Sequence, residues 1–200
     1  MKSRTCTRAA LAFCTLFAAA RTAGAQSAPP APAKWEFLLP SGAFVPTGAQ
    51  RDIVKAASVT AAQISYVPRP TFAVTATFGW ARSRDLGSVG DPKLDAFTYD
   101  VGAEVRAPRR LAGDSRTFTP FAGIGAGARS YDYRSLDVAA THNAAAYGAA
   151  GAELGMSRVR LRLELRDYLT GFKPLVGGGK SDARNDVLVM LGLRFTRHRA

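Results

Sequence analysis

From Arg158 to Arg166 the chain reads RVRLRLELR, so that Val159, Leu161, Leu163 and Leu165 alternate with Arg158, Arg160, Arg162, Glu164 and Arg166. A period of two belongs to a β-strand, whose successive side chains point to opposite faces, and it excludes an amphipathic helix here. The same rhythm sets Phe72, Val74, Ala76, Phe78 and Trp80 against Ala73, Thr75, Thr77 and Gly79. It sets Phe97, Tyr99, Val101, Ala103 and Val105 against Thr98, Asp100, Gly102, Glu104 and Arg106, and it lines up Val187, Val189, Leu191, Leu193 and Phe195. Segments near 35–45, 56–67, 118–130 and 144–155 are richer in Ala and Gly. With them the chain from Trp35 onward holds eight strand segments of about ten residues each.

Alternation alone does not say which face is wet. In a soluble sheet the charges meet solvent, and in a membrane barrel the leucines meet lipid while the charges turn inward. The connections separate the two. PRPT at 68–71 and GMSR at 155–158 are tight and PRRLAGDSR at 108–116 is moderate, whereas PTGAQRDIVKA, RSRDLGSVGDPKLD, YDYRSLDVAATHN and TGFKPLVGGGKSDARND are long and polar. Short turns on one side and long loops on the other match the periplasmic turns and extracellular loops of a membrane barrel. Gly123, Gly125, Gly127, Gly151 and Gly155 would weaken an open solvated strand. In an eight-stranded lumen, just wide enough for side chains, they are expected to make room for Arg160, Arg162 and Arg166. Two aromatic girdles are expected as well: Trp35, Phe72, Phe118 and Phe195 toward the short turns, and Trp80, Phe97, Tyr99, Tyr131 and Tyr168 toward the loops.

Lys2, Arg4 and Arg8, the apolar run AALAFCTLFAAA and Ala23-Gly24-Ala25 predict a secretory signal peptide over 1–25. Residues 26–34 read as a disordered lead-in rich in Pro and Ala, and 35–200 as one barrel domain. No later segment approaches the roughly 20 apolar residues of a spanning helix. Cys6 and Cys14 both lie in the segment to be removed, which leaves no disulfide and no thiolate metal site. Removal of Lys2, Arg4, Arg8 and Arg21 takes the basic residues from 27 to 23 against 15 acidic ones, a mature charge near +8. Export makes nucleic acid the least fitting partner for that charge.

TPFAGIGAGA, LRLELRDYLTGF and the closing LVMLGLRF, with Gly192 three before Phe195, resemble the small outer-membrane β-barrel proteins, similar to the OmpA transmembrane domain and OmpX-like barrels. The resemblance spans residues 35–200. It implies an eight-stranded antiparallel up-and-down transmembrane barrel in the outer membrane of a Gram-negative bacterium, inserted by the barrel-assembly machinery. It departs from the usual pattern in that Thr196 to Ala200 follow the terminal aromatic. The fold specifies no activity, which has to be argued from a site.

On this reading Arg160, Arg162, Glu164 and Arg166 face inward and meet Asp100, Glu104, Arg106, Arg129 and Glu153, a charge network tolerable only if paired. Arginines outnumber acids in that set, so some, such as Arg158 at a mouth, are expected to stay wet. Basic loop residues Arg51, Lys55, Arg82, Arg84, Arg134, Lys173 and Lys180 are suited to the phosphates of lipopolysaccharide. GIGAG at 123–127 continues a strand and so lacks the helix of a dinucleotide site. GDSR at 113–116 lies in a turn, at the opposite end from His142. His142, Ser135, Asp132 and Asp137 share one long loop, which keeps open an outer-rim lipid-modifying enzyme. A narrow solute pore and a secreted lipocalin-like binder stay open beside it. The expectation is nevertheless a monomeric, non-enzymatic barrel without metal or cofactor, with a structural or surface-interaction role.

Overall fold

Side chains that alternate along eight consecutive strands can bury both a lumen and an outer wall only if the sheet closes. The protein, here a computed structural model, is described over residues 34–111, 115–134, 136–137, 139–156, 158–172 and 182–197. All of these belong to the unit Ala31–Ala200. The expected signal peptide lies outside the described residues, as does the lead-in up to Lys34, which already belongs to the first strand.

The strands are β1 (Lys34–Pro46), β2 (Ala57–Arg69), β3 (Phe72–Arg84), β4 (Lys93–Arg106), a two-residue spur β5 (Arg109–Arg110), β6 (Thr117–Tyr133), β7 (Thr141–Met156), β8 (Val159–Phe172) and β9 (Asp182–Arg197). Neighbours in sequence pair antiparallel, β4 pairs with β6 past the spur, and β1 pairs with β9 from Trp35↔Arg197 to Pro46↔Asp186. That last seam joins the ends of the sheet, so no long edge is left with unpaired backbone groups.

The barrel strands run from 13 to 17 residues, longer than the roughly 9–11 that cross a hydrocarbon core. Arg82–Arg84, Lys93–Asp95, Tyr131–Tyr133 and Thr141–Asn143, expected in long loops, are strand instead. Polarity at these positions marks where the lipid-facing band stops. The backbone ladder continues beyond it because each peptide group still needs a partner.

Exposure decides the orientation. Leu161, Leu163 and Leu165 are 46%, 56% and 52% exposed, whereas Arg162, Glu164 and Arg166 between them are each 1% exposed. A soluble barrel would reverse those figures, since charged side chains are almost never fully buried beside exposed leucines. The outer wall carries the aromatics near both ends. Trp35 and Tyr66 meet at 5.2 Å toward the short turns, and Trp80 lies parallel to Phe97 at 6.4 Å toward the loops. Tyr131 and Tyr168 leave the expected girdle: both are buried in the lumen, because each shares the parity of an inward arginine, Arg129 and Arg166.

On the loop side the β1–β2 connection folds over the mouth. Val54 bridges to Asp85, Leu86 N–H donates to the Ile53 carbonyl at 2.6 Å, and Lys55 N–H donates to the Arg84 carbonyl at 3.0 Å. The Asp85 carboxylate accepts from Gly87 N–H at 2.9 Å, from Ser88 Oγ at 2.8 Å and from the Tyr133 hydroxyl at 2.7 Å. The buried acid thus ties the β3–β4 connection to the wall, and backbone bonds join the β1–β2 connection to it.

Leu163→Arg places a cation in the middle of the lipid-facing band and is expected to destabilise the bilayer-inserted protein by about 2–4 kcal/mol. Denaturant unfolding in lipid vesicles checks this, and an unchanged midpoint would mean that Leu163 meets water.

Candidate functional site

The lumen has two storeys. The one nearer the short turns is built from strand residues of inward parity, and it is ionic. Arg162 on β8 bonds Glu104 of β4 at 2.6 Å, Glu153 of β7 at 2.7 Å and its own neighbour Glu164 at 2.8 Å. Arg166 bonds Glu164 at 2.6 Å and Asp100 at 3.2 Å. Arg106 bonds Glu36 at 2.7 Å and Glu104 at 2.9 Å, and Arg194 bonds Glu36 at 2.6 Å and Glu153 at 2.9 Å. Arg160 reaches Glu153 at 3.6 Å from the mouth and stays partly wet, while Arg129 pairs with Asp186 higher in the barrel.

Two carboxylates and one arginine of this network are not legible in the charge pattern alone. Glu36, Asp186 and Arg194 join the nine expected residues, and the surplus of lumen cations disappears: among the described residues six guanidinium groups face six carboxylates. Arg158 is exposed at its turn. Glu36 between Trp35 and Phe37, and Arg194 between Leu193 and Phe195, obey the same parity that places Arg162 inside. A charge desolvated in this way is tolerated because each stands in an ion pair with an opposite charge.

The glycines serve a different neighbour from the one expected. A Cβ on Gly102 or Gly125 would run into the Tyr147 ring, and one on Gly151 would meet Phe121 at 2.6 Å. These notches seat rings, and the rings in turn carry the cations. The Arg162 guanidinium lies 3.4 Å from the Phe121 centroid and that of Arg166 lies 4.4 Å from Tyr147. Of the five expected glycines, Gly155 alone directly abuts an arginine, with a Cβ there 2.9 Å from Arg160 Cγ. Small residue, ring and guanidinium form successive layers, each cation–π contact adding to the ion pairs.

The loop-side storey is mostly apolar and encloses the buried Arg129–Asp186 pair, with the Arg129 guanidinium 5.1 Å from the Phe44 centroid and 4.8 Å from that of Tyr168. Phe44, Val59, Leu94, Leu188 and Met190 pack there with the rings of Tyr131, Tyr147 and Tyr168, and Val54 covers them from the β1–β2 connection. The tyrosine hydroxyls reach down to acids: Tyr168 donates to Asp100 at 2.5 Å and Tyr131 to Asp186 at 3.2 Å. At the opposite mouth a cavity of about 70 Å³ is lined by Lys34, Glu36, Arg69, Arg106 and Arg160.

Of the basic residues suited to phosphate, Arg82 and Arg84 stand on the outer face of β3 and Arg51 and Lys55 are exposed in the β1–β2 connection, whereas Lys173 and Lys180 lie outside the described residues. Arg82 sits 4.2 Å above the Trp80 ring and pairs in register with Asp95, which holds Arg134 at 3.0 Å. The cluster around His142 differs from the expected loop group. Ser135 lies outside the described residues, and His142 Nδ1 is 2.6 Å from Ser130 Oγ, its cross-strand partner in register. Ser115 of GDSR is in the β5–β6 turn at the far end of the barrel.

Arg162→Met strands Glu104, Glu153 and Glu164 without their shared cation and is expected to cost about 3–5 kcal/mol. The readout is the temperature at which the fast-migrating folded band converts to the unfolded one on a gel.

No protein-family profile matches the chain, and no curated protein matches it. Solved structures do. Neisserial surface protein A is 10% identical with a TM-score of 0.54, over 82% of this chain and 99% of that one. The outer membrane protein OprG from Pseudomonas aeruginosa is 12% identical, also with a TM-score of 0.54, over 84% and 98%. The chain therefore has the fold of the small outer-membrane barrels, a closed, eight-stranded, antiparallel transmembrane β-barrel.

Proposed function

We propose that this chain is an integral outer-membrane protein with a structural or surface-interaction role, monomeric, sealed along its axis and active through its outer wall and loops. The observation that carries this reading is the filled lumen. An ionic storey whose described arginines are all paired and a mostly apolar storey capped by Val54 pack side chains across the lumen of the described barrel. The same filling argues against a lipocalin-like binder, which needs an open apolar cup. Export by the segment 1–25 and insertion by the barrel-assembly machinery through the β9 end complete the reading. Arg82, Arg84 and Arg134, just beyond Trp80 and Phe97 on the outer wall, suit lipopolysaccharide phosphates.

One observation favours a second reading, acyl-ester chemistry at the outer rim. Ser130 and His142 are within nucleophile–base reach, in a register row that continues through Phe97 and Trp80.

Cell fractionation is expected to recover the protein in the outer membrane with heat-modifiable mobility, and planar bilayers are expected to show no discrete conductance. Steady unitary currents from the wild-type protein would replace the sealed barrel with a pore. For the second reading, His142→Ala should alter the acylation pattern of membrane lipids, and an unchanged lipid profile removes it.

A further inference from the structure

Charge outside the lumen is sorted by height. On the loop side Arg51, Lys55, Arg82, Arg84, Lys93 and Arg134 are interleaved with Asp52, Asp91, Asp95, Asp132, Asp137 and Asp167. On the short-turn side stand Lys34, Arg69, Arg109, Arg110, Arg158 and Arg197, and among the described residues no carboxylate forms an ion pair with any of them. The described carboxylates at that height, Glu36 and Glu153, face the lumen and are committed to Arg106, Arg194 and Arg162. The positive charge of the described barrel is therefore concentrated at one end.

These cations are also arranged about the axis. Arg69 precedes the β2–β3 turn, Arg109 and Arg110 follow β4, Arg158 sits in the β7–β8 turn, and Arg197 ends β9. Arg197 pairs in register with Trp35, and Arg109 pairs with Phe118, so basic residues stand beside the outward aromatics at this end. Aromatic rings mark the level of the lipid headgroups, and basic residues immediately beyond them meet the phosphates. Lys34, Arg69 and Arg160 carry the same charge inward to the rim of the mouth cavity.

We infer that the short-turn end is a ring-shaped binding site for anionic phospholipid headgroups, phosphodiesters of the phosphatidylglycerol type in the leaflet that this end meets. A single soluble polyanion calls for a patch on one side. Cations spread around a circumference at headgroup depth match a leaflet. The inference rests on the membrane reading above and adds to it a lipid preference at the end opposite the loops.

The full chain is refolded into phosphatidylcholine vesicles, and spin-labelled phosphatidylglycerol is compared with spin-labelled phosphatidylcholine for association with the barrel. The wild-type protein is expected to select the anionic lipid roughly three- to tenfold, a preference lost in high salt. Arg109→Gln/Arg110→Gln and Arg158→Gln/Arg197→Gln should each remove part of that selection and their combination nearly all of it. Arg51→Gln/Lys55→Gln/Arg84→Gln on the loop side should leave it in place. Equal association of the two lipids with the wild-type protein overturns the inference, as does loss of selectivity in the loop-side variant alone. Selection abolished by millimolar inorganic phosphate at constant ionic strength points to a free-anion site and overturns the leaflet assignment. Failure of the wild-type chain to enter the vesicles, seen as the absence of a heat-modifiable form, overturns the membrane reading itself.

Discussion

Everything inside this barrel is arranged around the Arg162 guanidinium. It takes carboxylates from β4, β7 and β8 at once, and Glu104 and Glu153 hand the connection on to Arg106 and Arg194, which meet on Glu36 of β1. Planar guanidinium groups suit this task because each offers donors in a fixed fork to more than one acid. A closed, hydrogen-bonded wall holds the forks in position, so little further freedom is lost on making the bonds. Ionic cross-bracing takes the place that a hydrophobic centre would occupy in a soluble domain, since the leucines are needed outside.

Packing around that network follows from size. An eight-stranded lumen has no space for a ring and an arginine on every strand, so Gly102, Gly125 and Gly151 give up their side chains to Tyr147 and Phe121. The rings then support Arg166 and Arg162 from beneath. Higher up the lumen turns mostly apolar around the Arg129–Asp186 pair, and the Tyr168 hydroxyl on Asp100 links the two storeys.

Parity makes much of this legible in the sequence. The period of two puts Arg162, Glu164 and Arg166 on one face and the intervening leucines on the other, and the alternation of short turns with long loops says that the charged face is the inward one. Glu36 and Arg194 obey the same parity, yet each is a lone charge among large apolar residues and is hidden by them. Sorting Tyr131 and Tyr168 by residue type instead of parity sends both to the wrong face. Around Phe44, Leu188 and Met190 both faces of the strand are apolar, and alternation there carries no information about which side is which. The contact between Ser130 and His142 depends on the register of β6 against β7. Nothing local in the sequence specifies a register across a connection of several residues.

The seam between β1 and β9 has a consequence for assembly. Glu36 lies on the first strand and Arg194 on the last, 158 positions apart, and their 2.6 Å bond crosses the closing seam. In a sheet still open there, Arg194 keeps Glu153 and Glu36 keeps Arg106, but each lacks the partner that stands across the seam. An open, membrane-inserted intermediate therefore holds its interior charges less fully paired in a medium of low polarity. Zipping the terminal strands together joins the two halves of the ionic network, which favours the completed barrel over the open sheet.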